Sequence, residues 1–142
     1  MAFYEQFLLL REELEKMGHT VLAPDLEFQV ADDKTSIGHF FERHGGVDAF
    51  PPDHEVWIKK GDAIKKHFRK INESDCILVV NHEKKSTPNY IGGNTFLEIG
   101  YAYGNGKKIF ILNQLPAAST FKEEILGMRP VVLNGDISKI NL

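Results

Sequence analysis

A chain of 142 residues, 42% hydrophobic and 26% charged, has the length and balance of one soluble globular domain with a core of its own. Its net charge of −3 argues against a dedicated nucleic-acid binder, and no apolar run approaches the roughly 20 residues that span a bilayer. A single cysteine, Cys76, excludes an internal disulfide framework. The N-terminus has no charged-then-apolar signal pattern, so the expected address is cytoplasmic.

In chain order, the first 17 residues read as a helix. Phe3, Phe7, Leu10, Leu14 and Met17 recur at steps of four and three and draw one apolar stripe, and Gly18 stands where a helix C-cap belongs. "HTVLAPDL" follows as a short strand ended by Pro24. From Glu27 to Pro52 the pattern dissolves, with "HGG" and "PP" as loop punctuation. A loop of that length in a compact domain is expected to be a lid or a binding loop. Helical spacing returns from Asp53 to Asn72 through Val56, Ile64, Phe68 and Ile71. "CILVVN" reads as a fully buried strand, with Cys76 a small core residue. A helix from Asn94 to Gly104, a buried strand "KIFILN", a short helix from Phe121 to Leu126 and a strand "PVVLN" complete the chain.

Strands alternating with helices, with central strands apolar on both faces, predict a parallel sheet covered by helices on each side. The expected fold is one domain over residues 1–142, a three-layer α/β/α arrangement of Rossmann or flavodoxin type. Such domains normally open on a strand; this chain opens on a helix.

Ligands of open parallel sheets sit beyond the carboxyl ends of the strands. Three strands end there in asparagine: Asn81, Asn113 and Asn134. Asparagine stops strands because it tolerates left-handed backbone, yet three amides along one edge also offer donors and acceptors to a sugar or a base. The loop "HEKKSTPNYIGG" follows Asn81, and Gly92 and Gly93 let backbone approach a ligand at a helix start that favours an anion. No "GK[ST]" ends it, so it is not a Walker-type phosphate loop. His39 and His44 lie five apart, off the spacing of a shared helical face, and have no cysteine partner; no metal site is expected. Lys59, Lys60, Lys65, Lys66, Arg69 and Lys70 mark a solvated helix face, with a phosphate-facing role as the alternative.

Glu98 is a lone acid in "NYIGGNTFLEIGYAYGNGKKIFIL". One reading is structural: "TFLE" matches a capping box in which Thr95 caps the helix and Glu98 reaches back to its amide. The other is chemical. A carboxylate on the first turn of a helix is kept ionised by the helix dipole, and an ionised carboxylate can attack a sugar's anomeric carbon through an oxocarbenium-like transition state.

"SDCILVVN…NYIGGNTFLEIGYAYGNGKKIFIL" resembles the nucleoside 2-deoxyribosyltransferase superfamily, in its transferase-like branch. "FLLLREELEKMGHTVLAPDL" is similar to that family's first helix and second strand, and "PVVLNGD" to its last strand. The resemblance implies a glutamate nucleophile at Glu98 that attacks C1′ of a 2′-deoxynucleoside, expels the base and forms a deoxyribosyl-enzyme. A second base, or water, then completes the turnover. It implies a pocket shaped by the tyrosine and glycines nearby, commonly completed by a neighbouring subunit, hence a homo-oligomer without a cofactor. The substrate-binding candidates are Asn81, Asn89, Tyr90, Gly92, Gly93, Asn94 and Asn113. Two positions depart from the family. Gly92 stands where the transferases carry an acid. His67 stands where they carry an aspartate and is either a proton donor to the leaving base or a partly buried helix histidine with no chemistry. The resemblance also implies a strand before "MAFYEQF", so this chain is expected to lack its first, central strand. The strand near Val21 and the strand Cys76 to Val80 would then flank a gap, or the sheet would rearrange to close it. A rival expectation is a non-catalytic nucleotide-binding domain.

Overall fold

A computed structural model describes residues 2–25, 28–30 and 33–142. These form two compact units. One is continuous, Ala23–Lys70; the other is made of Met1–Leu22 and Ile71–Leu142.

The larger unit opens on helix α1, Ala2–Lys16. It ends as the sequence predicts. Gly18 takes φ +92°, its N–H bonds to the Glu15 carbonyl, and the His19 N–H reaches back to the Leu14 carbonyl, which is a Schellman cap. The expected strand at 19–26 is absent: residues 19–25 have no regular structure, and Leu26 lies outside the described residues. Pro24 has no N–H to give a ladder.

Three parallel strands carry this unit: β3, Cys76–Val79; β4, Lys108–Ile111; and β5, Val131–Val132. Their order is β3-β4-β5, with Cys76 opposite Lys108 and Phe110 opposite Val131. Helix α4, Gly93–Gly104, connects β3 to β4, and helix α5, Lys122–Gly127, connects β4 to β5. This is the mixed helix and parallel-strand architecture expected. Ile99, Phe110, Ile111, Ile125 and Leu133 are fully buried, each contributing about 1.5–3 kcal/mol by leaving water. One expectation needs correcting. The strand at 76–81 is not buried throughout; Cys76, Ile77, Leu78 and Val80 are half-buried, and only Val79 and Asn81 are sealed. The reason is position: among the described residues β3 pairs with β4 alone and forms a sheet edge.

The smaller unit corrects the expectation of a structureless loop at 27–52. It holds a two-stranded antiparallel ribbon, β1 Phe28–Val30 and β2 Asp33–Thr35, then helix α2, Ile37–Arg43. Ser36 caps α2 by accepting from the His39 N–H. Helix α3, Glu55–Glu73, begins in this unit, and the boundary falls after Lys70. The unit packs around Val30, Phe40 and Val56, with Ile37, Phe41, Phe50 and Trp57 against them. The aromatic rings interlock: Phe40 lies 5.6 Å from Phe50 and Trp57 stacks 5.5 Å from Phe41. Within the unit, Lys66 and Lys70 both hold the Asp25 carboxylate, and Lys70 also donates to the Ala23 carbonyl at 2.7 Å. Those ammonium groups, Lys66 first and Lys70 second, pull the Asp25 carboxyl down to about 2.

Candidate functional site

The carboxyl ends of β3, β4 and β5 lie along one edge because the strands are parallel. The strand-end asparagines are there, fastened to the protein itself. Asn81 is fully buried. Its Nδ2 donates to the Gln114 carbonyl at 2.8 Å and the Asn113 carbonyl at 3.4 Å, and its Oδ1 accepts from the Asn113 N–H at 2.9 Å. Asn113 returns the contact, donating from Nδ2 to the Asn81 carbonyl at 3.3 Å. Further along the edge, the Gln114 side chain donates to Asn134 Oδ1. Asn134 turns the chain in left-handed backbone, φ +52°. The chain continues past each strand, and its carbonyls take the amide donors of Asn81 and Asn113.

The adjoining loop after β3 is open. A cleft of about 480 Å³ is lined by Val80, His82, Glu83, Lys84, Tyr90, Gly92, Gly93, Asn94 and Thr95, a size suited to a small molecule. Its outer wall is a miniature hairpin. Lys84 and Thr87 exchange N–H and carbonyl bonds at 3.1 and 2.9 Å, and Lys85 and Ser86 between them both take positive φ, 48° and 61°. That is the hand of a type I′ turn, which normally uses Asn-Gly. The loop closes where the Tyr90 N–H donates to the His82 carbonyl at 3.1 Å. Asn89, φ +54°, shapes this corner without lining the cleft.

Gly92 has a role that sequence reasoning did not assign. A Cβ there would stand 3.0 Å from Tyr90 Cε1 and 3.2 Å from its hydroxyl oxygen, so Tyr90 occupies the space a side chain would need. The Lys84 ammonium lies 5.4 Å from the centroid of the same ring, within cation–π range. An acid at Gly92, as the resembled family carries, would have to displace Tyr90.

Helix α4 begins differently from the expected capping box. Gly92 is the N-cap, in extended backbone at φ −88°, ψ 175°, with no side-chain cap. Thr95 is already the third helical residue and Glu98 the sixth, in the second turn. The capping-box reading of Glu98 is overturned, and so is its expected place in the first turn. Glu98 is half-buried and is the only charged residue in GNTFLEIGYAYG. It follows Asn94 by four residues and Thr95 by three, so it neighbours both cleft-lining side chains on one helical face. Phe96 stacks on Phe121 at 4.3 Å, which anchors this end of α4.

Of the predicted site residues, the structure brings Tyr90, Gly92, Gly93 and Asn94 to the cleft, sets Glu98 one turn along the helix, and commits Asn81 and Asn113 to the sheet edge. His67 belongs to the smaller unit. Sequence reasoning missed His82 and Lys84, although both follow a strand's carboxyl end, where ligands gather. Burial, and next Asp75, push the Cys76 thiol up, which keeps it protonated and unreactive. Among the described residues no group of three or more His, Cys, Asp or Glu could hold a metal ion, and no helix is long and apolar enough to cross a membrane.

No family model, curated protein or solved structure matches the chain.

Proposed function

We propose that the protein cleaves or exchanges the N-glycosidic bond of a (deoxy)nucleoside or nucleotide, with Glu98 as nucleophile and a glycosyl-enzyme intermediate. On this reading the larger unit is the core of a three-layer, Rossmann-like domain of the nucleoside 2-deoxyribosyltransferase type. It acts in the cytoplasm as a homo-oligomer without cofactor or metal. The observation that carries the reading is the position of Glu98. Helix α4 is capped by backbone alone at Gly92, so the acid is not needed to start the helix. It stands instead beside Asn94 and Thr95, which line a cleft of nucleoside size. A carboxylate so placed can attack C1′ while the cleft holds the rest of the substrate.

A second reading, a nucleotide-binding domain without catalysis, is favoured by one observation: Glu98 itself is not among the residues lining the cleft. Incubation with a panel of deoxynucleosides and deoxynucleotides, with and without a second free base, separates the two. Released or exchanged base supports the enzyme. Ligand binding with no base release across the panel supports the binding domain.

A further inference from the structure

Expelling a nucleobase requires more than a nucleophile, because most bases leave poorly as anions and need a proton. Resting on the glycosidic reading above, we propose that His82 is the catalytic acid that protonates the departing base. The cleft's proton-bearing side chains are His82, Glu83, Lys84 and Tyr90. Among these side-chain types, imidazole is the one that both gives and takes a proton near neutral pH. Its backbone is held on both sides. Asn81, the residue before it, is fully buried and bonded across to the end of β4, and the His82 carbonyl accepts from the Tyr90 N–H. These bonds hold the backbone at His82, whose side chain lines the same cleft as Tyr90. Both His82 and Glu98 belong to the larger unit.

A Glu98 oxygen forms a bond to C1′ as the C1′–N bond breaks, and that bond's electron pair passes to the base. The His82 imidazolium gives its proton to the base, which leaves neutral. The neutral imidazole then takes a proton from water, or from an incoming base, as that group attacks C1′ and the Glu98 ester opens to a carboxylate.

The test compares two probes on the full chain. 2′-Deoxyinosine needs a proton on its leaving base. 7-Methyl-2′-deoxyguanosine already carries the positive charge on its base and needs none. In His82→Gln, shown to be folded by thermal unfolding, release from deoxyinosine should fall by about a hundredfold or more. Release from the methylated substrate should stay within about threefold, since protonation no longer contributes. His82→Asn repeats the comparison if the glutamine variant does not fold. An equal loss on both substrates, or no loss on deoxyinosine, overturns the proposal while leaving the glycosidic reading intact. A wild-type protein inert toward both substrates overturns the glycosidic reading and this proposal with it.

Discussion

Two stretches of the same sheet edge carry polar side chains, and they do different things. Along the ends of β3, β4 and β5, Asn81, Asn113, Gln114 and Asn134 bond to one another and to backbone. Directly after β3, residues from His82 to Thr95 surround open space. Both stretches are rich in groups that could recognise a nucleoside. What separates them is burial at Asn81. A buried amide without a partner costs about 1–3 kcal/mol, so a fully buried asparagine must be bonded internally, and Asn81 is. Side chains lining the cleft, such as Glu83, Lys84 and Tyr90, are not sealed in this way and border open space.

The contrast predicts its own largest effect on stability at Asn81. Replacing it with alanine strands the Asn113 N–H and the Asn113 and Gln114 carbonyls, and the expected cost is about 3 kcal/mol. A denaturant midpoint that falls with unchanged slope would show it. If Asn81→Ala were neutral in stability but abolished ligand binding, the edge would be a binding surface after all.

The cleft's hairpin should respond in the opposite direction. Left-handed backbone costs an ordinary residue about 1–2 kcal/mol, while glycine pays about 0.5–1 kcal/mol in entropy. Ser86→Gly is therefore expected to stabilise the protein by about 0.5–1 kcal/mol, read from the unfolding midpoint. A loss of stability would mean that the Ser86 side chain supports the turn.

Thr95→Ala sharpens the account of where α4 begins. A true N-cap loss costs about 1 kcal/mol; because Gly92 is the cap, the change should stay within about 0.5 kcal/mol. Guanidinium titration of the variant distinguishes the two.

A small effect is also expected at an exposed polar fastening in the other unit. Asp25 is held by Lys66 and Lys70, and its carboxyl is about half exposed. Its folded pKa lies near 2, below the ordinary carboxylate value near 3.9. The stabilisation is therefore present above about pH 4 and lost as pH falls toward 2. Solvent screening limits it to under about 1 kcal/mol. Asp25→Asn should lower the melting temperature slightly at pH 7 and leave it unchanged near pH 2; an effect as large as that of Asn81→Ala would show that burial is not what gives such contacts their weight.

Much of the larger unit was legible from the residues alone. "KIFIL" reads as a buried strand because every side chain from Ile109 to Leu112 is sealed, and the Gly18 cap announces the end of α1. The start of α4 was not. "TFLE" has the letters of a capping box, but Gly92 ends the loop by backbone conformation, which a letter pattern does not encode. The ribbon and helix between 28 and 43 were hidden for another reason. Strands of three residues show no alternation, and their core gathers Val30, Phe40 and Val56 from separated positions. The division of roles among the asparagines was likewise invisible, because it depends on which carbonyls the chain brings beneath each amide.

The proposed function rests on attack by Glu98. Glutamine keeps the shape of the side chain but will not form the glycosyl ester. The deciding measurement is the rate of base release by Glu98→Gln, on protein whose stability is within about 0.5 kcal/mol of wild type. A fall of several orders of magnitude is expected. Base release at a near wild-type rate would contradict it and return Glu98 to a purely structural part in helix α4.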